Sequence, residues 1–418
     1  MSGRLTTAWM LAIALCGLCP ALCPPVYANT TGGGAPALRV AQNDLALPPA
    51  PASNAAVPEP VPARPMPQES TRSAAASPLV RIALLLPLRS PTLGAAAQAV
   101  RAGFAAAHER ETQGVAVNVI ETDGSPQDTV ERYLEASAGN DIVVGPLARS
   151  ELTAVAQAGA VRKPTIALAQ PEPAANGETT LPRNLLAIGL SIEDEARQVA
   201  RTIAADKMAQ KALVVSTGVA WQRRAAKAFA AQWRTLGLDV QNFELAVAEG
   251  FPTPESLLQL KKKIQDDAPQ ALFVALDANL AAQVRLAIGG ELPVYGTSQL
   301  NPLGLADWSL ASGMPDLNGT HLLDIPWQLQ ADHPAVMTYP RPVVASDQRR
   351  SADLERLYAL GIDAYRIARE LSANNRRFEL DGVTGKLFIS FLDGAGRFER
   401  QAQAAVYQDG KVTPLAQP

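Results

Sequence analysis

The stretch VRIALLLPL, residues 80–88, sets the reading of everything after it. Beyond Arg81 it is a continuous apolar run of strand length, stopped by Pro87 and a turn-like Arg89-Ser90-Pro91. A run with no polar–apolar alternation reads as a strand covered on both faces, at the centre of a parallel sheet. A buried core helix would be as apolar, but the shortness and the proline favour the strand. An Ala-rich helical segment, 93–110, follows. Most of the later chain repeats this strand-then-helix unit. Open sheets built this way place ligands at the carboxyl ends of their strands.

At 418 residues the chain is long enough for more than one core. Its 37 basic residues nearly balance 40 acidic ones, so it lacks the basic surplus that a nucleic-acid partner would call for. Arg4 is the only charge ahead of the apolar stretch 8–22, and Val26-Tyr27-Ala28 fits a small-x-small cleavage site. Residues 1–28 are therefore expected to be a cleaved secretory signal, and the protein to be exported. The apolar run is short and broken by proline, so no transmembrane segment is expected in the mature chain. All three cysteines, Cys16, Cys19 and Cys23, fall inside the signal. Disulfides, thiolate metal sites and a Cys nucleophile are thus not expected downstream. The alternative is a lipoprotein signal with one of these cysteines acylated. Such signals carry a small residue before the cysteine, and here Leu15, Leu18 and Leu22 stand there.

Residues 29–78 show little apolar periodicity, and 48–78 hold nine prolines and eight alanines. Such a segment buries too little apolar surface to offset its ordering entropy. It reads as an extended Pro/Ala-rich tether, either a spacer from an envelope surface or a disordered leader. The folded part is expected from residue 79. Strands at 80–88, 115–123, 141–148, 164–170 and 184–191 alternate with helices at 93–110, 127–137 and 150–160. After a helix at 193–205 the pattern restarts, with strands at 211–217, 238–246, 271–277 and 293–299. The intervening helices are 221–236, 254–265 and 278–288. A strand at 320–327, a long helix at 352–373 and a Gly-punctuated β segment at 385–412 close the chain, with turns at Asp393-Gly394 and Asp409-Gly410.

In this order the elements resemble the type I periplasmic binding-protein fold, the leucine-binding-protein-like superfamily. The opening run VRIALLLPLRSPTLGAAAQAVRAGFAAA, the turn DIVVGPLARSEL and the helix LYALGIDAYRIA carry that likeness. More narrowly, IALLLPL, VVGPL, YGTSQLNP (295–302), LDIPW (323–327), HPAV (333–336) and DGVTGKLFI (381–389) resemble the penicillin-binding-protein activator family of LppC/LpoA type. The likeness covers about residues 79–414. It implies an α/β fold: a two-lobed clamshell, each lobe a mainly parallel sheet flanked by helices. Lobe I is expected to take 79–190 plus about 327–375, and lobe II 191–326 plus about 376–418. The resemblance also implies a non-enzymatic activator of a bifunctional class A penicillin-binding protein in peptidoglycan synthesis, in the periplasm and attached to the outer membrane. The alternative within the superfamily is a periplasmic solute-binding protein of an ABC transporter.

The cleft candidates follow from that resemblance. Amino-acid receptors hold the ligand carboxylate with a hydroxyl in the turn after the third strand, which falls here at Arg149, with Ser150 beside it. They hold the ammonium with an acid in a second-lobe turn matching 296–298, where this chain has Thr297 and Ser298. A buried ammonium without a partner is costly, so an amino-acid site of that kind is disfavoured, while an anionic small-molecule ligand at Arg149 stays open. Trp221 stands where the receptors lay an aromatic over the ligand; the plainer reading is a packing aromatic. Asp277 and Tyr295 end second-lobe strands, and Asp277 is equally a helix cap. His108, His321 and His333 are isolated, and no metal or cofactor motif appears. GVTGK (382–386) lacks the spacing of a phosphate loop and precedes a strand, and no GxSxG elbow is present. Lys261-Lys262-Lys263 reads as a solvated helix face. The basic loop 341–350 reads as a surface loop, with a partner contact as the alternative.

Overall fold

The structure is a computed structural model describing residues 79–171, 181–206, 209–301, 313–342, 351–392 and 395–416. All lie in one compact unit, Arg72–Pro418. The expected signal and tether, most of the basic loop and the turn at Asp393-Gly394 lie outside the described residues.

Strand β1, Val80–Leu86, does sit inside a sheet. It pairs in parallel with β2 (Val115–Glu121) on one side and β3 (Ile142–Val144) on the other. Helices α1 (Gly94–Arg110), α2 (Pro126–Gly139) and α3 (Arg149–Gln157) alternate with the strands. Strands β4 (Thr165–Ala167) and β5 (Leu185–Ala187) complete the order β2-β1-β3-β4-β5. Ile82, Leu84 and Leu86 enter one hydrophobic cluster, Ala83 and Leu85 the opposite one. That two-sided burial is why the run shows no alternation. Strand β3 is shorter than expected because Gly145, at φ +119°, and Pro146 end it.

Helix α4 (Ile192–Ala205) leads into the second sheet. There β6 (Lys211–Ser216), α5 (Ala220–Thr235) and β7 (Asp239–Glu244) are followed by a two-stranded ribbon, β8 (Val247–Ala248) with β9 (Phe251–Pro252). Then come α6 (Pro254–Asp267), β10 (Ala271–Ala275), α7 (Ala278–Ile288) and β11 (Val294–Gly296). Strand β12 spans His321–Asp324 and is shorter than the expected 320–327, because Pro326 opens a short helix, α8 (Pro326–Leu329). The one-turn helix α9 (Pro334–Met337) and the long α10 (Ala352–Ser372) return to the first lobe. Ser125, Ser191, Thr253, Asp277 and Ser351 each cap a helix by accepting a backbone N–H three residues on.

Helices α1 and α10 meet through two glycines. A Cβ on Gly103 would stand 1.9 Å from the Tyr358 carbonyl oxygen, and one on Gly361 2.1 Å from that of Val100. Only a residue without a side chain permits this approach.

The C-terminal β segment divides. Strands β13 (Arg377–Gly382), β14 (Gly385–Leu392) and β15 (Ala395–Gln401) form a separate antiparallel sheet. Its inner face, with Leu387, Ile389 and Phe391, joins the first-lobe core. The assignment of everything from about 376 to lobe II is thus corrected: the apolar partners of this sheet are α10 and the first sheet. Only β16 (Gln403–Gln408) and β17 (Lys411–Pro414) extend the second sheet, whose order is β17-β16-β12-β11-β10-β6-β7. Asp409 and Gly410, both at positive φ, make their tight turn. No helix among the described residues is long and apolar enough to cross a membrane.

Candidate functional site

The chain passes between the lobes three times: after β5, after β12 and after β15. Around these passages the carboxyl ends of strands from both sheets and the first turns of α3, α4, α5 and α10 converge.

Arg149, in the first turn of α3, reaches across to Glu193 in the first turn of α4. Its Nη2 donates to both carboxylate oxygens at 3.1 Å. Arg224, one turn into α5, donates Nε–H to the same carboxylate at 2.9 Å. The Ser191 hydroxyl donates to Glu193 at 3.3 Å while accepting the Asp194 N–H as the helix cap. The Glu193 side chain is 13% exposed. Burial opposes its charge, but its own backbone hydrogen bond and the two guanidiniums hold it below the usual carboxylate range.

Ser298 lies in the short turn after β11. Its backbone N–H and its hydroxyl donate to the two oxygens of Glu195, at 2.8 and 3.1 Å. Its carbonyl accepts from Arg356 on α10 at 3.1 Å. Arg356 grips Asp324, the last residue of β12, with two hydrogen bonds of 3.0 and 2.7 Å. Asn301 adds a third donor to Asp324 at 2.7 Å. Asp324 and Arg356 are 1% and 6% exposed. A buried pair of this kind tolerates the loss of water only through such multiple, aligned contacts. Burial would weaken the Arg356 cation, but Asp324 beside it wins and raises its pKa. Burial pushes the Glu195 carboxyl up to about 7, against the pull of the Ser298 donors and Arg356.

A second buried knot adjoins the first. Asp363 on α10 accepts the backbone N–H groups of Val383 and Thr384 and the Thr384 hydroxyl, at 3.1, 2.8 and 2.7 Å. Arg400 donates to that hydroxyl and to the carbonyls of Ile188 and Gly189 on the first passage. Gln198 of α4 holds both the N–H and the C=O of Ala402 on the third.

Of the residues singled out from sequence, Arg149 and Ser298 both reach the first turn of α4. Ser150 is exposed beside Arg149, and Trp221 is half-buried in the first turn of α5. Asp277 caps α7 through the Leu280 N–H at 3.0 Å. Tyr295 stacks on His321 at 5.1 Å and borders the second-lobe core. The six do not form one cluster. Arg341, the described end of the basic loop, lies over the Trp327 ring at 4.1 Å. Lys262 and Lys263 pair with Asp266 and Asp267 one helical turn on. Sequence reasoning passed over Glu193, Glu195, Asp324, Arg356 and Arg400. The acidic first turn of α4, Glu193-Asp194-Glu195 at the lobe junction, was the available signal.

A family model described as "LppC putative lipoprotein" matches residues 54–283 and 255–410. The chain belongs to the LppC family. Penicillin-binding protein activator LpoA of Photobacterium profundum is 25% identical over 382 residues, covering 84% of this chain. The chain spans 59% of that relative's length. The LpoA C-domain of Haemophilus influenzae, described as a regulator of PBP1A, superimposes with a TM-score of 0.62 at 24% identity, over 80% of this chain and all of that one. A structure from Chromobacterium violaceum, described as a "putative branched-chain amino acid ABC transporter", is 34% identical with a TM-score of 0.61, over 78% of this chain and 100% of that one. These likenesses agree with the two-lobed α/β fold of parallel sheets flanked by helices. The stretches that mark the LppC family supply much of the polar lattice. YGTSQLNP holds Ser298 and Asn301, LDIPW holds Asp324, and DGVTGKLFI holds Val383 and Thr384.

Proposed function

We propose that this LppC-family chain is a non-enzymatic, exported activator of a bifunctional class A penicillin-binding protein. It would act by protein–protein contact in peptidoglycan synthesis, from the periplasm and from an attachment to the outer membrane. The observation that carries this reading is the family match across nearly the whole described unit, together with curated relatives named as activators. The buried polar lattice supports it, because the inner side chains bond to one another and are spent on holding the lobes. The residues expected at a receptor's ligand are accounted for likewise: Arg149 is paired with Glu193, and Ser298 with Glu195.

The test is crosslinking in intact cells from a tagged chain, with mass spectrometry of what is captured, followed by glycan polymerisation with the purified pair. Recovery of a class A synthase whose polymerisation rate rises with added chain is the expected result. Absence of any synthase among the captured proteins overturns the reading.

The 34% identity to the Chromobacterium violaceum protein, described as part of an ABC transporter, favours a second reading, a solute-binding protein of such a transporter. A receptor is stabilised by its ligand according to mass action. A rise in unfolding temperature with one amino acid or organic anion, and with none of the others, would favour it.

A further inference from the structure

Two-lobed modules with separate cores move against each other by default, unless their interface is extensive. Here the apolar clusters of the first lobe are distinct from those of the second. Leu329 of α8 makes an apolar contact with the second-lobe core, and the facing turns of the two lobes are bridged by polar groups. Arg149 of the first lobe holds Glu193 of the second. Arg356, on a helix of the first lobe, holds Asp324 and the Ser298 carbonyl of the second.

These bridges stand where the superfamily resemblance puts the two ends of a solute. The turn after β3 carries Arg149, and its anion comes from Glu193 of the chain itself. The turn after β11 carries Ser298, whose donors take Glu195 and whose carbonyl takes a guanidinium. Both carboxylates come from the first turn of α4, the element that begins the second lobe.

We propose that the first turn of α4 acts as a built-in substitute for a solute: Glu195 takes up the Ser298 donors within the second lobe, while Glu193 on Arg149, together with Arg356 on Asp324 and the Ser298 carbonyl, latches the lobes at one separation without any ligand. The consequence is a clamp that presents a fixed outer surface. A ligand entering between the lobes would have to displace Glu193 from two guanidiniums at once. Partly buried charges of this sort are screened little by salt. The latch stands apart from the identity of the partner.

The test measures lobe separation directly. In the full chain the three cysteines are replaced by serine, and spin labels are placed through E109C on α1 and R234C on α5, both at exposed positions. Pulsed electron–electron resonance should give one narrow distance distribution, unchanged by a millimolar mixture of the twenty standard amino acids. The R149A variant should broaden it and add a longer distance, with R149K between the two. Far-UV circular dichroism verifies folding. Should R149A fail to fold, E193Q removes the same charge pair and is read in the same way. A distribution that is already broad in the parent, that moves with the amino acids, or that is unchanged in the folded variant overturns the latch.

Discussion

Glu195 shows how one side chain couples this fold to pH. Its carboxyl titrates near 7 in the folded chain against an ordinary value of 4.5, with burial as the leading cause. The folded state therefore binds that proton more tightly than the unfolded state. Its contribution to stability is complete below about pH 4.5 and is lost as pH rises to about 7. Glu151, also raised by burial, acts with the same sign, while Glu193, lowered, acts with the opposite one. E195Q keeps an acceptor for the Ser298 N–H and removes the titration. Urea midpoints measured from pH 4 to 8 should show a flatter profile for E195Q, with a gain at pH 8 of at most about 3 kcal/mol. A profile as steep as the parent's would remove Glu195 from this role. Arg356 allows a complementary experiment. R356M leaves Asp324 buried with two neutral donors, Asn301 and the Ile325 N–H, and should cost about 3–5 kcal/mol, whereas R356M with D324L should cost clearly less. Chemical denaturation of both variants decides it.

Among the elements, the crossing of α1 and α10 is the most exacting. G361A would drive a methyl group against the Val100 carbonyl, and relief requires the two helices to separate. A loss of at least about 1–3 kcal/mol is expected, read as a lower thermal midpoint. An unchanged midpoint would mean that the crossing yields freely. This scale also shows what could be read from sequence. The parallel strands were legible because residues 82–86 and 271–275 are apolar throughout, as burial on both faces demands. Helix starts were legible wherever Ser, Thr or Asp caps them. Strand β13 was missed although RFELDG alternates polar and apolar residues, because the run is only six residues long and follows closely on a helix end. The site was legible only in part. Arg149 and Ser298 were found as positions in turns, but their partners Glu193 and Glu195 lie on a helix whose acidic first turn looks like ordinary dipole stabilisation. Asp324 and Arg356 are 32 residues apart, and nothing local announces their pairing.

At the scale of the whole unit, the three-stranded sheet β13-β14-β15 belongs energetically to the first lobe. Native-state hydrogen exchange should show the amides of Leu387, Ile389 and Phe391 opening together with those of β1 and α10, and separately from those of β16. Exchange in step with β16 instead would return this sheet to the second lobe. The same arrangement bears on how the chain matures. The first lobe is closed by α10 and β14, and the second by β16 and β17, so neither is a contiguous length of sequence. In a chain emerging from its amino end, the Ile82, Leu84 and Leu86 face of β1 has α1 over it but lacks α10 and β14 until the far end of the chain arrives. The first lobe's core is therefore complete only once almost the entire polypeptide has emerged, and the strand that begins the fold gains its last neighbours from the opposite end of the chain.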